Sequence, residues 1–120
     1  MHTLLLRLAG PMQSWGTQSR FLERDTGMEP SKSGVLGLVC AALGRKRDES
    51  VDDLAELTMG VRVDREGTLR RDFQTALDVV RADGSRGGTV VSNRYYLADA
   101  DFLVGLAGDE LALLERIEAA

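Results

Sequence analysis

Two stretches near the start of the chain combine residue types that bind anions and nucleotide bases. The first is the loop from Met12 to Pro30, which holds Gln13, Arg20 and Trp15, the only tryptophan among the 120 residues. Indole rings stack on bases, while glutamine and serine side chains hydrogen-bond to base edges or phosphates. This polar loop therefore favours nucleic-acid binding. The structural alternative is that Trp15 fills the core beneath the loop.

The second stretch directly precedes an apolar helical pattern and consists of Ser31, Lys32, Ser33 and Gly34. Hydroxyls, a lysine and unpaired backbone N–H groups at a helix N-terminus form an anion site, and a glycine there lets a ligand approach the backbone. An RNA phosphate would fit such a site. The structural alternative is that Ser31 or Ser33 only caps the helix while the Lys32 ammonium is solvated.

The residues around these stretches predict the elements that position them. Apolar side chains recur at helical spacing up to Leu43, and Gly44 stands where a left-handed residue ends a helix, so we expect a helix over residues 33–43. Upstream, the apolar run from Thr3 to Ala9 predicts a central strand covered on both faces.

Later segments alternate between helical and strand patterns. Residues 50–57 predict a short acidic helix with Ser50 as its N-cap. The alternation over residues 93–106 predicts a single strand, and Asp109 is expected to cap a final amphipathic helix.

Between them, a hairpin and an arm are expected. The hairpin joins residues 59–64 to residues 69–77 and places Leu69 and Phe73 inward. The Gly-rich residues 78–92, flanked by valines, predict a protruding, flexible β-arm.

The predicted order is βαββα with decoration, in a single domain over residues 1–120. One more strand would complete a ferredoxin-like (RRM-like) βαββαβ sheet, an α+β fold with both helices on one face. The final strand and C-terminal part are absent from this pattern. We therefore expect a truncated domain with an open sheet edge, through which the fragment could self-associate.

Composition excludes several classes of protein. The single cysteine, Cys40, excludes an internal disulfide, and the single histidine, His2, excludes a zinc cluster or a His-centred triad. We predict no metal and no other cofactor. With no apolar run long enough to span a bilayer and no leader pattern, we expect a cytoplasmic protein without a membrane partner.

Charge is distributed unevenly along the chain. The net charge of −4 argues against a protein held to nucleic acid by its overall field. Residues 1–47 carry a net +4 and residues 59–94 a net +2, whereas residues 48–58 and 95–120 each carry a net −5. Basic groups are thus concentrated on particular segments, which favours a local anionic ligand.

Three blocks of sequence resemble the N-terminal part of the family-five CRISPR-associated subunits of type I-E Cascade complexes. The blocks are LLLRLAGPMQSWG, TGMEPSKSGVLGLVCAALGRKRDES and TVVSNRYYLADADFLVGL. They extend from Leu4 to Leu106, so the resemblance covers nearly the whole chain.

The resemblance implies a ferredoxin-like, RNA-binding subunit of the RAMP superfamily that caps the 5′ handle of CRISPR RNA in antiviral defence. It implies a thumb-like arm, here about residues 78–92, that reaches a neighbouring backbone subunit, and a contact with the large subunit that recognises foreign DNA. The implied handle-binding surface maps to the loop after the first strand and the front of the first helix: Gln13, Trp15, Arg20, Lys32, Ser33 and Gly34.

Two further cations complete the predicted RNA-binding set. They are Arg47, in the basic cluster after the helix, and Arg86, near the tip of the arm. Family members continue with a Gly- and Arg-rich loop and further strands that this sequence lacks. We therefore expect part of the handle-binding surface to be missing and handle affinity to be weak or absent.

Two other functions compete with this interpretation. A related family cuts precursor RNA without metal, which needs an acid and a base within hydrogen-bond reach. The available candidates lie on unrelated segments: His2, Lys32, Lys46, Tyr95 and Tyr96. The second competitor is a ferredoxin-like regulatory or dimerisation module without an RNA role. We predict a protein without catalytic residues.

Overall fold

The protein is an α+β structure, as the sequence predicts. The computed structural model describes residues 1–16 and 23–120, with side chains for residues 1–16 and 25–120. Its elements follow in chain order: β1 His2–Ala9, β2 Met12–Gln13, β3 Glu23–Arg24, α1 Lys32–Leu43, α2 Asp52–Ala55, β4 Thr58–Arg65, β5 Thr68–Ala76, β6 Val90–Ala98, β7 Asp101–Gly108 and α3 Leu111–Ala119. None of the helices in this described part is long and apolar enough to cross a membrane.

Three strands form the main sheet, in the order β1-β7-β4 with antiparallel neighbours. The pairing runs from His2 opposite Gly108 to Ala9 opposite Asp101, and β4 lies along the other side of β7. Helices α1 and α3 contact each other, and α3 also contacts β1 and β7. The buried core of this layer consists of Val35, Leu36, Val39, Leu54, Leu57, Val104, Leu106, Leu113, Leu114 and Ile117.

The prediction that the first strand is central and covered on both faces is wrong. Within residues 1–16 and 23–120, strand β1 pairs with β7 alone and forms one edge of the main sheet. Leu4 and Leu6 are half-buried against the core, whereas Leu5 points to the other face and is 61% exposed. An unbroken apolar run does not reveal which of its faces is covered, because that depends on the neighbouring strands.

The remaining strands form an arm sheet, in which β6 pairs with β5 on one side and with β2 and β3 on the other. The predicted hairpin is therefore wrong, because β4 belongs to the main sheet and β5 to the arm sheet. The chain crosses between the sheets at Gly67, where a Cβ would lie 2.8 Å from Leu97 Cβ. Leu69 and Phe73 do not face inward, since they are 51% and 64% exposed.

The prediction of a single strand over residues 93–106 is also wrong, because the structure has two strands there. A corner at Asp99, with φ of 60°, separates β6 from β7, so the chain leaves the arm sheet and enters the main sheet. The backbone N–H of Asp99 donates to Pro11 O over 3.3 Å. Alternation continues through the corner, because Ala100 and Phe102 are both buried. The alternation of apolar and polar residues therefore does not reveal the corner at Asp99.

Helix α1 confirms the predicted helix to within one residue at its start. Gly44 adopts φ 74° and ψ 20°, and its N–H donates to Ala41 O, as a left-handed C-cap does. The other two predicted caps are each displaced by one residue. Val51 occupies the N-cap of α2, although Ser50 Oγ accepts from Asp52 N, and Glu110 occupies the N-cap of α3.

The arm is longer than the predicted segment. Strands β5 and β6 pair over nine positions, from Thr68 opposite Ala98 to Ala76 opposite Val90. Beyond them the two chains stay close, because Val79 N donates to Gly88 O over 2.9 Å and Arg81 N donates to Ser85 O over 2.7 Å. The tip therefore continues the arm as an irregular ladder.

Candidate nucleic-acid interface

The front of α1 has the cap that the sequence suggests. Ser31 is the N-cap, with extended backbone angles, and its Oγ accepts from Gly34 N over 3.2 Å. The Ser31 and Ser33 hydroxyl oxygens lie 3.4 Å apart, and the Ser33 side chain is exposed. The capping role of Ser31 is therefore filled, while Ser33 remains accessible at the same end of the helix.

Lys32 stands at the first position of α1 and is exposed. Its ammonium donates to Ala55 O over 2.8 Å, at the C-terminal end of α2. A backbone carbonyl orients the ammonium without neutralising it, so the full positive charge stays at the front of α1. The same hydrogen bond joins the acidic helix α2 to the front of α1.

Gln13 has all its amide groups engaged within the fold. Its Nε2 donates to Leu8 O over 3.1 Å and to Ala100 O over 3.0 Å, while its Oε1 accepts from Trp15 Nε1 over 3.1 Å. A primary amide has two N–H donors, and both are used here. Gln13 thus connects β1, the turn before β7 and the tryptophan.

Trp15 is half-buried and packs against the core of both sheets. Its ring covers Gly34, where a Cβ would lie 2.8 Å from Trp15 Cε3 and 3.1 Å from Cζ3. The sequence predicts that a ligand approaches the backbone at Gly34. In the structure, the group that approaches is the indole ring of Trp15.

The backbone of Trp15 is held from the far side of the loop. Trp15 N donates to Thr26 Oγ1 over 2.8 Å, and Gly27 N donates to Trp15 O over 2.6 Å. Thr26 is a residue of this site that the sequence does not predict. Eleven residues separate Trp15 from Thr26 and no periodic pattern relates them, so only a Thr-Gly pair at the end of the loop hinted at a turn. Gln13, Trp15, Thr26 and Gly34 together are called the loop brace below.

The basic cluster after α1 divides into two kinds of group. Arg45 is half-buried, and its guanidinium forms two hydrogen bonds of 2.7 Å to the carboxylate of Asp53. These bonds lower the pKa of Asp53 to about 2. Arg47 and Lys46 are exposed, within a turn closed by Glu49 N donating to Lys46 O over 3.1 Å. Arg47 is therefore the accessible arginine of the cluster.

Two described residues of the predicted RNA-binding set do not lie at the front of α1, because Arg47 follows the C-terminal end of the helix and Arg86 belongs to the arm. Arg86 lies in the tip of the arm, where its guanidinium pairs with the carboxylate of Asp78. Arg20 lies outside the described residues. The structure thus joins Gln13, Trp15, Ser33 and Gly34 with Lys32 at one place and leaves Arg86 in a separate element. Across residues 1–16 and 23–120, no three His, Cys, Asp or Glu side chains are grouped so as to hold a metal ion.

Comparison with known proteins gives consistent matches along the chain. The family model described as "CRISPR-associated protein (Cas_Cas5)" matches residues 3–120. The "CRISPR system Cascade subunit CasD" of Escherichia coli (strain K12) is 40% identical over 118 residues, covering 86% of this chain and 52% of the relative.

Solved structures agree with the sequence matches. A chain described as "CRISPR RNA-guided surveillance complex" superposes with a TM-score of 0.89 at 44% identity, covering 99% of this chain and 54% of that chain. A second, described as "Crystal structure of Cas protein", gives 0.73 at 52% identity, covering 98% and 50%. The chain spans about half the length of these relatives. The match over residues 3–120 shows that the chain belongs to the CRISPR-associated Cas_Cas5 family.

Proposed function

We propose that the protein is a non-catalytic, RNA-binding subunit of a type I-E CRISPR Cascade surveillance complex and that it caps the 5′ handle of CRISPR RNA. The observation that carries the proposal is family membership over residues 3–120, together with the likeness of its fold to a chain of an RNA-guided complex. Since the chain spans about half of its relatives, the handle and the Cascade partners are proposals for this chain.

The proposed handle-binding surface has two parts, the front of α1 and, at the other end of this 12-residue helix, the turn that follows it. Lys32 supplies a charge held in place by Ala55 O, and Ser33 supplies an exposed hydroxyl. Arg47 adds a second exposed cation. The helix N-terminus favours an anion, because backbone N–H groups point out of it. Phosphates of the handle are the proposed ligands.

The loop brace has a supporting role in this proposal. Gln13 uses both amide N–H groups on backbone carbonyls, and Trp15 is packed over Gly34. We therefore assign Gln13 and Gly34 to positioning the loop, and the half-buried Trp15 to the same role together with contact to a base. Arg20 is proposed as a phosphate contact from the same loop.

The arm formed by β5 and β6 is proposed to reach the neighbouring backbone subunit of the complex, with Arg86 turned from Asp78 toward RNA on assembly. A contact with the large subunit completes the proposed set of partners. Support comes from the arm's exposed apolar side chains, since Phe73 and Leu77 are 64% and 76% exposed. Exposed apolar side chains become protein-contacting surfaces where they adjoin one another in a patch.

We also propose that the main sheet is ferredoxin-like. Strands β1, β4 and β7 correspond to its first three strands, and α1 and α3 to its two helices. The free edge of β1 is then the place for a fourth strand, and in its absence for self-association. A non-catalytic role fits the distribution of acid–base candidates, because His2 begins β1 whereas Tyr95 and Tyr96 lie in β6 of the arm sheet.

The experiment measures binding of a fluorescently labelled RNA with the host's repeat-derived handle, and of a scrambled RNA, by anisotropy at several salt concentrations. Handle-selective binding that weakens with salt supports the proposal. Lys32→Ala should reduce the slope of log affinity against log salt by about 0.7, the value for one phosphate on a single strand.

The matched control is Arg116→Ala, which removes an exposed cation from α3. It should leave the slope unchanged. Equal affinity for the two RNAs, or a Lys32→Ala slope identical to that of the unaltered protein, contradicts the proposed surface.

A further inference from the structure

A cleft of about 510 Å³ opens on the arm sheet, outside the surface proposed above. None of its residues belongs to the predicted RNA-binding set. It is lined by Met12, Ser14, Asp72, Gln74, Arg94, Tyr95 and Tyr96; Tyr95 stands at the alternate position of β6, so the other six supply the side-chain groups that can contact a ligand. They combine an aromatic ring, a thioether, a guanidinium, a carboxylate, an amide and a hydroxyl.

The pairing of three strands explains why these side chains share one face. Asp72 lies opposite Arg94 in the register of β5 and β6, and Arg70 lies opposite Tyr96. On the other side of β6, Met12 of β2 lies opposite Ala98. Directly opposed residues point to the same face, and so do residues two apart in a strand. The cleft is therefore built by regular sheet geometry.

The polar groups of the cleft can form hydrogen bonds and ion pairs with a ligand. Asp72 Oδ2 accepts from Gln74 Nε2, whereas Asp72 Oδ1 has no hydrogen-bond partner within the described part of the chain. Tyr96 is half-buried, which fixes its ring, and Met12 is 58% exposed beside it. Arg94 is exposed at the rim. A flat group would contact both Tyr96 and Met12 on entering.

We propose that this cleft binds one unstacked base of a single-stranded RNA. The base stacks on Tyr96 and packs against Met12, while the adjoining phosphate pairs with Arg94. An exocyclic amino group of the base donates to Asp72 Oδ1. This inference rests on the proposed RNA-binding function and adds a second, separate site to it.

The carboxylate defines which bases fit. Cytosine, adenine and guanine each carry an amino group that can donate to Asp72. Uracil has a single N–H between two carbonyl oxygens, and those oxygens would face the negative carboxylate. The cleft therefore selects amino-bearing bases over uracil. Among the described side chains of this face, Arg70 and Arg94 outweigh the one carboxylate, which favours a phosphate-bearing ligand over a neutral or basic protein surface.

The test measures affinities for labelled single-stranded oligocytidine and oligouridine by anisotropy at one fixed salt concentration. The unaltered chain should prefer oligocytidine. Tyr96→Ala should weaken oligocytidine binding by roughly tenfold, while Tyr96→Phe keeps the ring and should retain the affinity. Asp72→Asn should reduce the preference for cytidine over uridine. The matched control is Phe73→Ala, which removes an exposed aromatic ring from the opposite face of β5 and should change neither affinity.

Circular dichroism of each variant shows whether it is folded. If Tyr96→Ala unfolds, the test is the preference of the Asp72→Asn variant for oligocytidine over oligouridine. If Lys32→Ala weakens RNA binding but Tyr96→Ala and Asp72→Asn do not, the proposed base-binding role of the cleft is wrong. The front of α1 then remains the RNA-binding surface, and the cleft is assigned to a protein partner. Weakening by Tyr96→Ala without any effect of Lys32→Ala supports the cleft and contradicts the front of α1. No saturable binding of either RNA by the unaltered chain overturns both proposals.

Discussion

Gly34→Ala tests the contact that holds the loop against the first helix. The new methyl group would lie 2.8 Å from Trp15 Cε3 and 3.0 Å from Ser31 Oγ. The indole cannot withdraw freely, because its Nε1 donates to Gln13 Oε1 and its ring packs against the cores of both sheets. Either the ring or the start of α1 must therefore move.

The expected magnitude follows from two opposing effects. Alanine is favoured over glycine in a helix interior by about 0.8–1 kcal/mol. Inserting a methyl group into a filled site costs about 1–3 kcal/mol. Gly37→Ala is the matched control, since Gly37 lies in the same helix with nothing within 4 Å of its Cβ position. We expect Gly37→Ala to be stabilising and Gly34→Ala to be less stable than that control by about 1–3 kcal/mol.

Urea unfolding followed by Trp15 fluorescence and by circular dichroism measures both variants. Each kcal/mol should also move the melting temperature by roughly 3–5 °C for a chain of this length. Gly34→Ala should in addition shift the emission of Trp15, because the ring is displaced. If Gly34→Ala is as stable as Gly37→Ala and its emission is unchanged, the indole does not rest on Gly34 and the loop brace is wrong.

Two further changes test the acid response and the corner between the sheets. The pKa of Asp53 is lowered to about 2, so its pairing with Arg45 contributes stability that is present above about pH 4 and is lost as the pH falls toward 2. Asp53→Asn should remove that part of the acid dependence of the urea midpoint. Asp99 has φ of 60°, so Asp99→Val should destabilise by about 1–2 kcal/mol in thermal unfolding while Asp99→Gly should not.

The elements that the sequence predicts well are those specified by neighbouring residues. Helix α1 has its cap and its stop within its own sequence, because Ser31 accepts from Gly34 and Gly44 takes the left-handed conformation. The stripe of α3 is equally local, and Leu113, Leu114 and Ile117 are buried as their spacing predicts. Such signals need no knowledge of the rest of the fold.

Strand partners were not predictable in the same way. Residues 93–106 alternate without a break although the chain changes sheet at Asp99. The short connection between residues 59–64 and residues 69–77 predicts a hairpin, but a turn sequence does not specify whether the two strands it joins will pair. Pairing depends on which distant strand has a matching face. In this fold, β4 pairs with β7 and β5 pairs with β6.

The candidate site shows the same limit at the level of single groups. A glycine at the front of a helix indicates that something comes close to the backbone, but it does not indicate what. At Gly34 the neighbour is Trp15 of the same chain. Likewise, Gln13 has the chemistry to contact a base, and its three hydrogen bonds to Leu8, Ala100 and Trp15 became evident only in the fold.

The loop brace and the exposed cations should therefore respond differently to mutation. Gln13→Leu leaves the carbonyl oxygens of Leu8 and Ala100 without their donor and should destabilise the protein by about 1–3 kcal/mol. It removes no charge, so in a chain that already carries Arg20→Ala, which removes the phosphate contact proposed for this loop, the salt slope of RNA binding should not change further. Lys32→Ala should instead lower the slope. If Gln13→Leu lowers the slope of the Arg20→Ala chain as much as Lys32→Ala does, Gln13 acts on the phosphates through a further cation, and the distinction between support and contact fails.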